Sequence, residues 1–468
     1  MTIGRSGRLL VSLFLTGLVA IGSASVFEAS AAACDGAYKG TAVSAKELQA
    51  LLQSHARWLE HPDRTDGKRA ELCRANLSRA SLAGANLERA GLEGASLRHA
   101  HLAQSSLAQT SAAGADFTKA LLEDSNLSGA DLRRANLSGA NLSRSIGDEA
   151  ALYNALLAGA RLRESSFERA HLEGGDLTGA DLAHADFVDA YFYGATLHHA
   201  ILTGADLTGA DLRRTNLTKA NAQQANFQGA LFDHAVLDQA KFSEADMEGA
   251  YLDEASLRNT NLRDAILRGA DMRYVNLAGA ALQQADLEGA NLEGASLVKA
   301  TLQAAKLRMV IFYQARLDHA DFRDAHLYRA VLIGARGQQT AFTKADLSEI
   351  YAPKAVLPQG QFNEAKLEFA NLVAADLAGA NFNHADLQHA NLQEANLQGA
   401  SLAGADLTAA RLDSANLQRT NLRGANLAAA VGLTQAQLDA ACVDEQTRVP
   451  SDLHHPAPCS TAPSKKAP

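Results

Sequence analysis

Residues 380–399 read ANFNH, ADLQH, ANLQE, ANLQG, four groups of five in one register. A small residue opens each group and a polar Asn or Asp follows it. Phe382, Leu387, Leu392 and Leu397 stand at the centres. Followed outward, the beat never slips: a central position falls at every number ending in 2 or 7, from Leu72 to Leu427. Only Ala112, Gly147, Ala222, Gly337 and Ala352 lack a large apolar side chain there. The small slot departs from small mainly at Val275, Val310 and Ile350.

A period of five fits neither the helical repeat nor the strand repeat. It requires a chain that turns a corner once per group, so that four groups close one square coil. The small and central residues then point inward and the other three face water. Glycine, frequent in the last slot, suits corners that need positive φ. The step from 72 to 427 repeats 71 times, giving 72 units and 18 coils. At an inter-strand spacing of about 4.8 Å, these make a rod on the order of 85 Å long.

The unit A-[D/N]-L-x-x, as in Ala75-Asn76-Leu77 and Ala285-Asp286-Leu287, resembles the pentapeptide-repeat family over residues 70–429. The resemblance implies an all-β solenoid: a right-handed quadrilateral parallel β-helix of about 18 coils, with short α-helical caps at both ends.

An open β-helix leaves ladder edges at its ends, which need covering. Ser44-Ala45-Lys46-Glu47 reads as a capping box. Beyond it Leu48, Leu51, Leu52, His55, Trp58 and Leu59 fall on one helical face, with the single Trp as the expected plug. At the other end Thr434 and Gln437 start a second short helix, with Leu438 and Ala441 on one side. The expected organisation is a secretory signal peptide at 1–31, an N-terminal helical cap at 32–69, and the repeat at 70–429. A C-terminal cap at 430–449 and a Pro-rich disordered tail at 450–468 follow.

The signal is read from Arg5 and Arg8, the apolar stretch Leu9–Gly22 and the cleavage site Ala29-Ser30-Ala31. Ala31-Ala32-Ala33 before Cys34 is a second cleavage site, and a lipoprotein acylated at Cys34 is the less favoured variant. These features imply a periplasmic or secreted protein with no integral membrane segment after cleavage. Cys34, Cys73, Cys442 and Cys459 remain, and four cysteines allow three pairings. The preferred one is local, Cys34 with Cys73 and Cys442 with Cys459, each pinning one terminal segment.

No chemistry emerges from the polar residues. The net charge of −9 brings no basic patch to neutralise phosphates, and is weak for a DNA mimic. No nucleophile–base set or glycine-rich phosphate loop stands out. His198-His199 and His454-His455 are the only histidine pairs, and His198-His199 lacks partners for a metal. The sequence therefore points to a non-enzymatic protein without catalytic residues, cofactor or metal. Phe322, Phe342, Phe362 and Phe382 fill one central column and are expected to stack in the core.

One asymmetry survives sorting the units into four sides. The side holding Leu72, Leu92 and Leu132 carries Tyr153, Tyr191, Tyr193, Tyr251, Tyr274, Tyr313 and Tyr351 in water-facing slots. It adds Leu231, Ile311, Val331 and Ile333; of the repeat's tyrosines only Tyr328 lies elsewhere. Strand propensity accounts for vertical stacking but not for its restriction to one side, and an exposed apolar stripe marks an interface. The function expected is an exported scaffold contacting a protein or an envelope polymer, with self-association as a further use and no nucleic-acid partner. The alternative is a DNA-mimicking binder of an enzyme such as gyrase, as the resemblance to quinolone-resistance members implies. Asp186, Asp206, Asp246, Asp286, Asp346, Asp386 and Asp406 share one side, but Arg268, Lys306 and Arg308 interrupt it, and the export signal argues against this use.

Overall fold

The computed structural model describes residues 38–459, which lie within one compact unit. The signal segment, Cys34 and residues 460–468 lie outside the described residues.

Each group of five makes one side and one corner of a right-handed quadrilateral β-helix. At the corner after Leu72, the Ala75 N–H donates to the Leu72 carbonyl at 3.0 Å. The residue before the closing Ala, Arg74, has φ +54°. A positive φ at the third residue is the mark of a type II turn. Every corner from 74 to 424 repeats it, and 49 of them are not glycine. Those residues are Arg, Lys, His, Gln, Asn, Asp, Glu and a few others, never Val, Ile or Thr. A branched Cβ in the left-handed region meets the following carbonyl, so the corner filters residue type without demanding glycine.

Successive coils are joined 20 residues apart. The Leu72 N–H donates to Gly91 O at 2.7 Å and the Gly91 N–H returns to Ala70 O at 2.9 Å. Parallel bridges of this kind run from Glu71 with Gly91 up to Arg411 with Val431.

The Asn/Asp slot works at the corner. The Asp206 carboxylate accepts the Thr208 N–H at 2.9 Å, and Asn276 accepts the Ala278 N–H at 3.1 Å. The same Asx turn recurs along the rod and satisfies a donor that would otherwise be left over. Where Ser replaces Asn or Asp, the coil below takes over. Asp238 accepts the Arg258 N–H at 2.9 Å and the Ser256 hydroxyl at 2.6 Å. Asn383 does the same for Ala403 and Ser401.

Inside, the Ala and Leu slots are dry. Ser105, Ser125, Ser145 and Ser165 form a buried column, each hydroxyl donating to the carbonyl of Leu102, Leu122, Leu142 or Leu162. The rings of Phe322, Phe342, Phe362 and Phe382 stack, with centroids 5.0, 5.0 and 4.5 Å apart. Gly147 is not a void: a Cβ there would lie 2.2 Å from the Phe167 ring, which leans down from the next coil into the missing volume.

Both ends are covered. Thr41 and Val43 pair with Asn76 across the lower edge, and α1 (Ala45–Glu60) lies against the first coil. Ser44 caps α1, accepting the Glu47 N–H at 3.3 Å, but Glu47 turns to the Tyr38 hydroxyl at 2.9 Å, so the expected reciprocal box is half formed. Trp58 is not the buried plug. Trp58 and Leu59 are half-buried, as are Leu51 and Leu52, while Leu48 and the fully buried His55 take the inner positions. Helix repetition alone put all six on one face; packing against the first coil buried only Leu48 and His55.

At the upper end the Thr434–Gln437 capping box of α2 (Gln435–Asp439) is complete. The Gln437 amide then donates to the carbonyls of Leu412 and Ala415, both at 2.9 Å, closing the last corner. Cys442 and Cys459 form a disulfide. The tail expected to be disordered from residue 450 is instead held as far as Cys459, whose N–H donates to Val443 O at 3.2 Å. Cys73 is buried at the first coil and is disulfide-bonded.

Candidate interaction surface

The side carrying the tyrosines resolves into two parts. In the lower part, Tyr153, His171 and Tyr191 form a three-ring stack at 4.9 and 4.7 Å between centroids. His171 belongs to the stack although tyrosine counting missed it; its place in the coil between Tyr153 and Tyr191 on the same side was the available signal. Its Nδ1 lies 3.0 Å from Glu173. Burial pushes the Tyr153 hydroxyl up, and Glu173 adds to the shift. Ion pairs along the chain flank the tyrosines, Asp131–Arg133 at 2.7 Å one coil below Tyr153 and Asp211–Arg213 at 2.6 Å one coil above Tyr191. Arg213 also lies 5.9 Å from the Tyr193 ring centre. Burial raises the Asp233 carboxyl, and Asp253 in the next coil reinforces it. This lower part is aromatic but well charged.

The upper part is apolar. Ile311, Val331 and Tyr351 are bridged in succession, and Tyr313 and Ile333 run beside them. Ile311, Tyr313 and Tyr351 are exposed; Val331 and Ile333 are half-buried, as are Tyr153 and Leu231 lower down. Tyr191, Tyr193, Tyr251 and Tyr274 are exposed as well, Tyr274 standing on a positive-φ corner with its ring over Gly294.

Exposed apolar residues elsewhere do not build ladders. Ile146 sits between Asn126 and Ser166, Leu156 between Asn136 and Asp176, and Ile201 between Asp181 and Asn221. Strand propensity produces such isolated residues on every side. It does not produce Ile311–Val331–Tyr351.

The patch also turns a corner. Met309, 48% exposed, lies two residues before Ile311, and Phe369, 58% exposed, two before Asn371. Both occupy positive-φ corner slots, so sorting by flat sides assigned them to the neighbouring face. Their large aliphatic or phenyl side chains, at corners otherwise filled by glycine, alanine, Tyr274 or polar residues, were the legible signal. Phe369 is stacked on His389 at 4.7 Å. Tyr328 is on that neighbouring face but is committed elsewhere: its hydroxyl donates to Glu349 at 2.8 Å, with Arg329 5.0 Å from its ring centre.

The aspartate side is spent on the fold. Asp186, Asp206, Asp246, Asp346, Asp386 and Asp406 each accept an N–H of their own corner. Asp286 is 5% exposed. Burial opposes its ionisation, but hydrogen bonds from Arg268, the Glu288 N–H and Lys306 outweigh this and hold its carboxyl below the usual range. His198 and His199 meet edge-on at 4.2 Å, and among the described residues no group of side chains could hold a metal ion. Nor, among these residues, is any helix long and apolar enough to cross a membrane.

Pentapeptide repeats match residues 68–349 and 361–427, and the chain belongs to the pentapeptide-repeat family. The unmatched stretch holds Ile350, Ala352, Pro353 and Pro358, beside the apolar patch. HetL from the cyanobacterium Nostoc, a pentapeptide-repeat protein involved in heterocyst differentiation regulation, is 33% identical over 48% of this chain and 88% of its own, with a TM-score of 0.20. Rfr23 from Cyanothece is 25% identical over 23% of this chain and 88% of its own, at a TM-score of 0.23. QnrB1, a plasmid-mediated fluoroquinolone resistance protein, is 18% identical over 41% of this chain and 91% of its own, at 0.24. No curated protein matches the sequence. Pentapeptide-repeat proteins are generally non-enzymatic.

Proposed function

We propose that this protein is a non-enzymatic exported scaffold that binds another protein through the apolar patch of Met309, Ile311, Tyr313, Val331, Ile333, Tyr351 and Phe369. The observation that carries the reading is the unbroken Ile311–Val331–Tyr351 ladder beside Tyr313 and Ile333, whereas Ile146, Leu156 and Ile201 on the other sides each have polar neighbours above and below. A contiguous exposed apolar patch on a water-soluble rod favours a partner that covers it. A rigid side with fixed residue spacing offers that partner a preformed surface, which lowers the ordering cost of binding. Arg5, Arg8 and the apolar Leu9–Gly22 support export, placing the partner in the periplasm or outside the cell.

The test combines Tyr313→Ser with Ile333→Ser, both outward residues whose loss leaves the core intact. Pull-down from envelope extract is expected to lose a defined protein, and light scattering reports whether that partner is a second copy. Retention on purified wall polymer, abolished by the same variant, would replace the protein partner with a polysaccharide. Unchanged partners and unchanged mass would remove the patch as an interface. Fractionation checks export separately: the product is expected in the envelope or medium with its N-terminus cleaved. Gyrase mimicry receives no support from the carboxylates, which are engaged in corner hydrogen bonds and ion pairs.

A further inference from the structure

The N-terminal helix is fastened to the rod by the strap that follows it. Arg57 Nε donates to Asp66 O at 3.0 Å, and the Lys68 N–H lies within 3.0 Å of the Ser54 hydroxyl and 3.2 Å of its carbonyl. A Cβ on Gly67 would stand 2.3 Å from Trp58 N, so the strap lies directly on the helix backbone. This contact ends at His55. The imidazole is 0% exposed and stacks on Trp58 at 5.5 Å. Its Nδ1 accepts the Ala70 N–H at 3.2 Å, at the point where the strap enters the first coil. Its Nε2 makes no hydrogen bond of normal geometry, although the Glu88 carbonyl faces the ring.

An acceptor at Nδ1 requires the neutral ring with its proton on Nε2. Protonating Nδ1 would set one N–H against another and place a charge in a buried site. We propose that His55 is a pH-sensitive latch: neutral, it seats α1 on the first coil; protonated in mild acid, it leaves its site, frees α1 and the strap, and uncovers the lower edge of the ladder.

The charged groups facing the ring are Arg69 from the strap and Glu88 from the first coil. Burial, the largest influence, pushes the imidazole below its ordinary value; the Glu88 carbonyl and carboxylate oppose this and Arg69 reinforces it. A histidine whose folded value is depressed binds fewer protons folded than unfolded. The latch is therefore fully closed above about pH 6.5 and weakens as pH falls from there towards the folded value.

The experiment is hydrogen exchange of the full chain at pH 7.5 and 5.0, corrected for intrinsic rates. Protection of α1 amides is expected to fall by up to about thirtyfold, the ceiling set by an unfolded value near 6.5 when the pH is lowered to 5.0. Amides in mid-rod coils are expected to hold. His55→Phe keeps an aromatic ring and removes the proton site, so its α1 protection should not depend on pH. Arg69→Gln should weaken the wild-type response without abolishing it. Wild-type α1 protection that changes less than threefold overturns the latch whatever the variants do. An equal fall in His55→Phe overturns it as well.

Discussion

Gly147 and Phe167 test whether the coils are packed as pairs. A Cβ on Gly147 would meet three ring carbons of Phe167 at 2.2, 2.6 and 2.7 Å. The backbone at Gly147 is not in the left-handed region, so the conflict is one of volume alone. Gly147→Leu by itself should cost about 1–3 kcal/mol through overpacking. Phe167→Leu by itself removes roughly three carbons over an already empty position and should cost about 2 kcal/mol. With both changes the column acquires leucine over leucine, the arrangement of most coils, and should return to within about 1 kcal/mol of wild type. The coupling energy is therefore about 2–5 kcal/mol, with each substitution rescuing the other. Solenoid stability is a sum of local terms, so urea unfolding should be read together with hydrogen exchange over residues 140–170. Costs that add to within about 0.5 kcal/mol would refute the pairing and leave Gly147 as an ordinary thin spot.

Phe342 stacks on both neighbours, and Phe342→Ala should cost about 3–5 kcal/mol, seen as lost amide protection confined to the adjoining coils. The corner at Gly249 has φ +65° and open space around a Cβ; Gly249→Val should cost about 1–2 kcal/mol by denaturation, and Gly249→Asn clearly less. Asp238 is 7% exposed and holds Ser256, the Arg258 N–H and the Arg258 guanidinium. Asp238→Ala should therefore cost about 2–4 kcal/mol. Burial opposes ionisation of Asp238, but these bonds hold its carboxyl below the usual range, so its contribution is present above about pH 4 and lost as pH falls through the folded value. Cys442→Ser opens a loop of 17 residues and should destabilise the C-terminal cap by about 3 kcal/mol, measured by proteolysis of residues 430–459.

The five-residue beat by itself determined the coil, the inward columns, the phenylalanine stack and the side on which tyrosines gather. Those features depend on positions five or 20 apart, and a strict period converts such separations directly into space. The beat could not decide how one coil fills another's gaps. Phe167 occupying the volume above Gly147, and Asp238 serving a corner one coil above, depend on side-chain direction as well as register. Nor could it decide what happens where the chain bends most sharply. Positive φ at each corner carries Met309 and Phe369 beside a patch that a flat-sided count separates from them. At the N-terminal end the period is absent, and six residues on one helical face carried no order of depth. Tertiary packing chose His55 over Trp58 there, because the buried Ala70 N–H needs an acceptor, which an imidazole nitrogen supplies and an indole cannot.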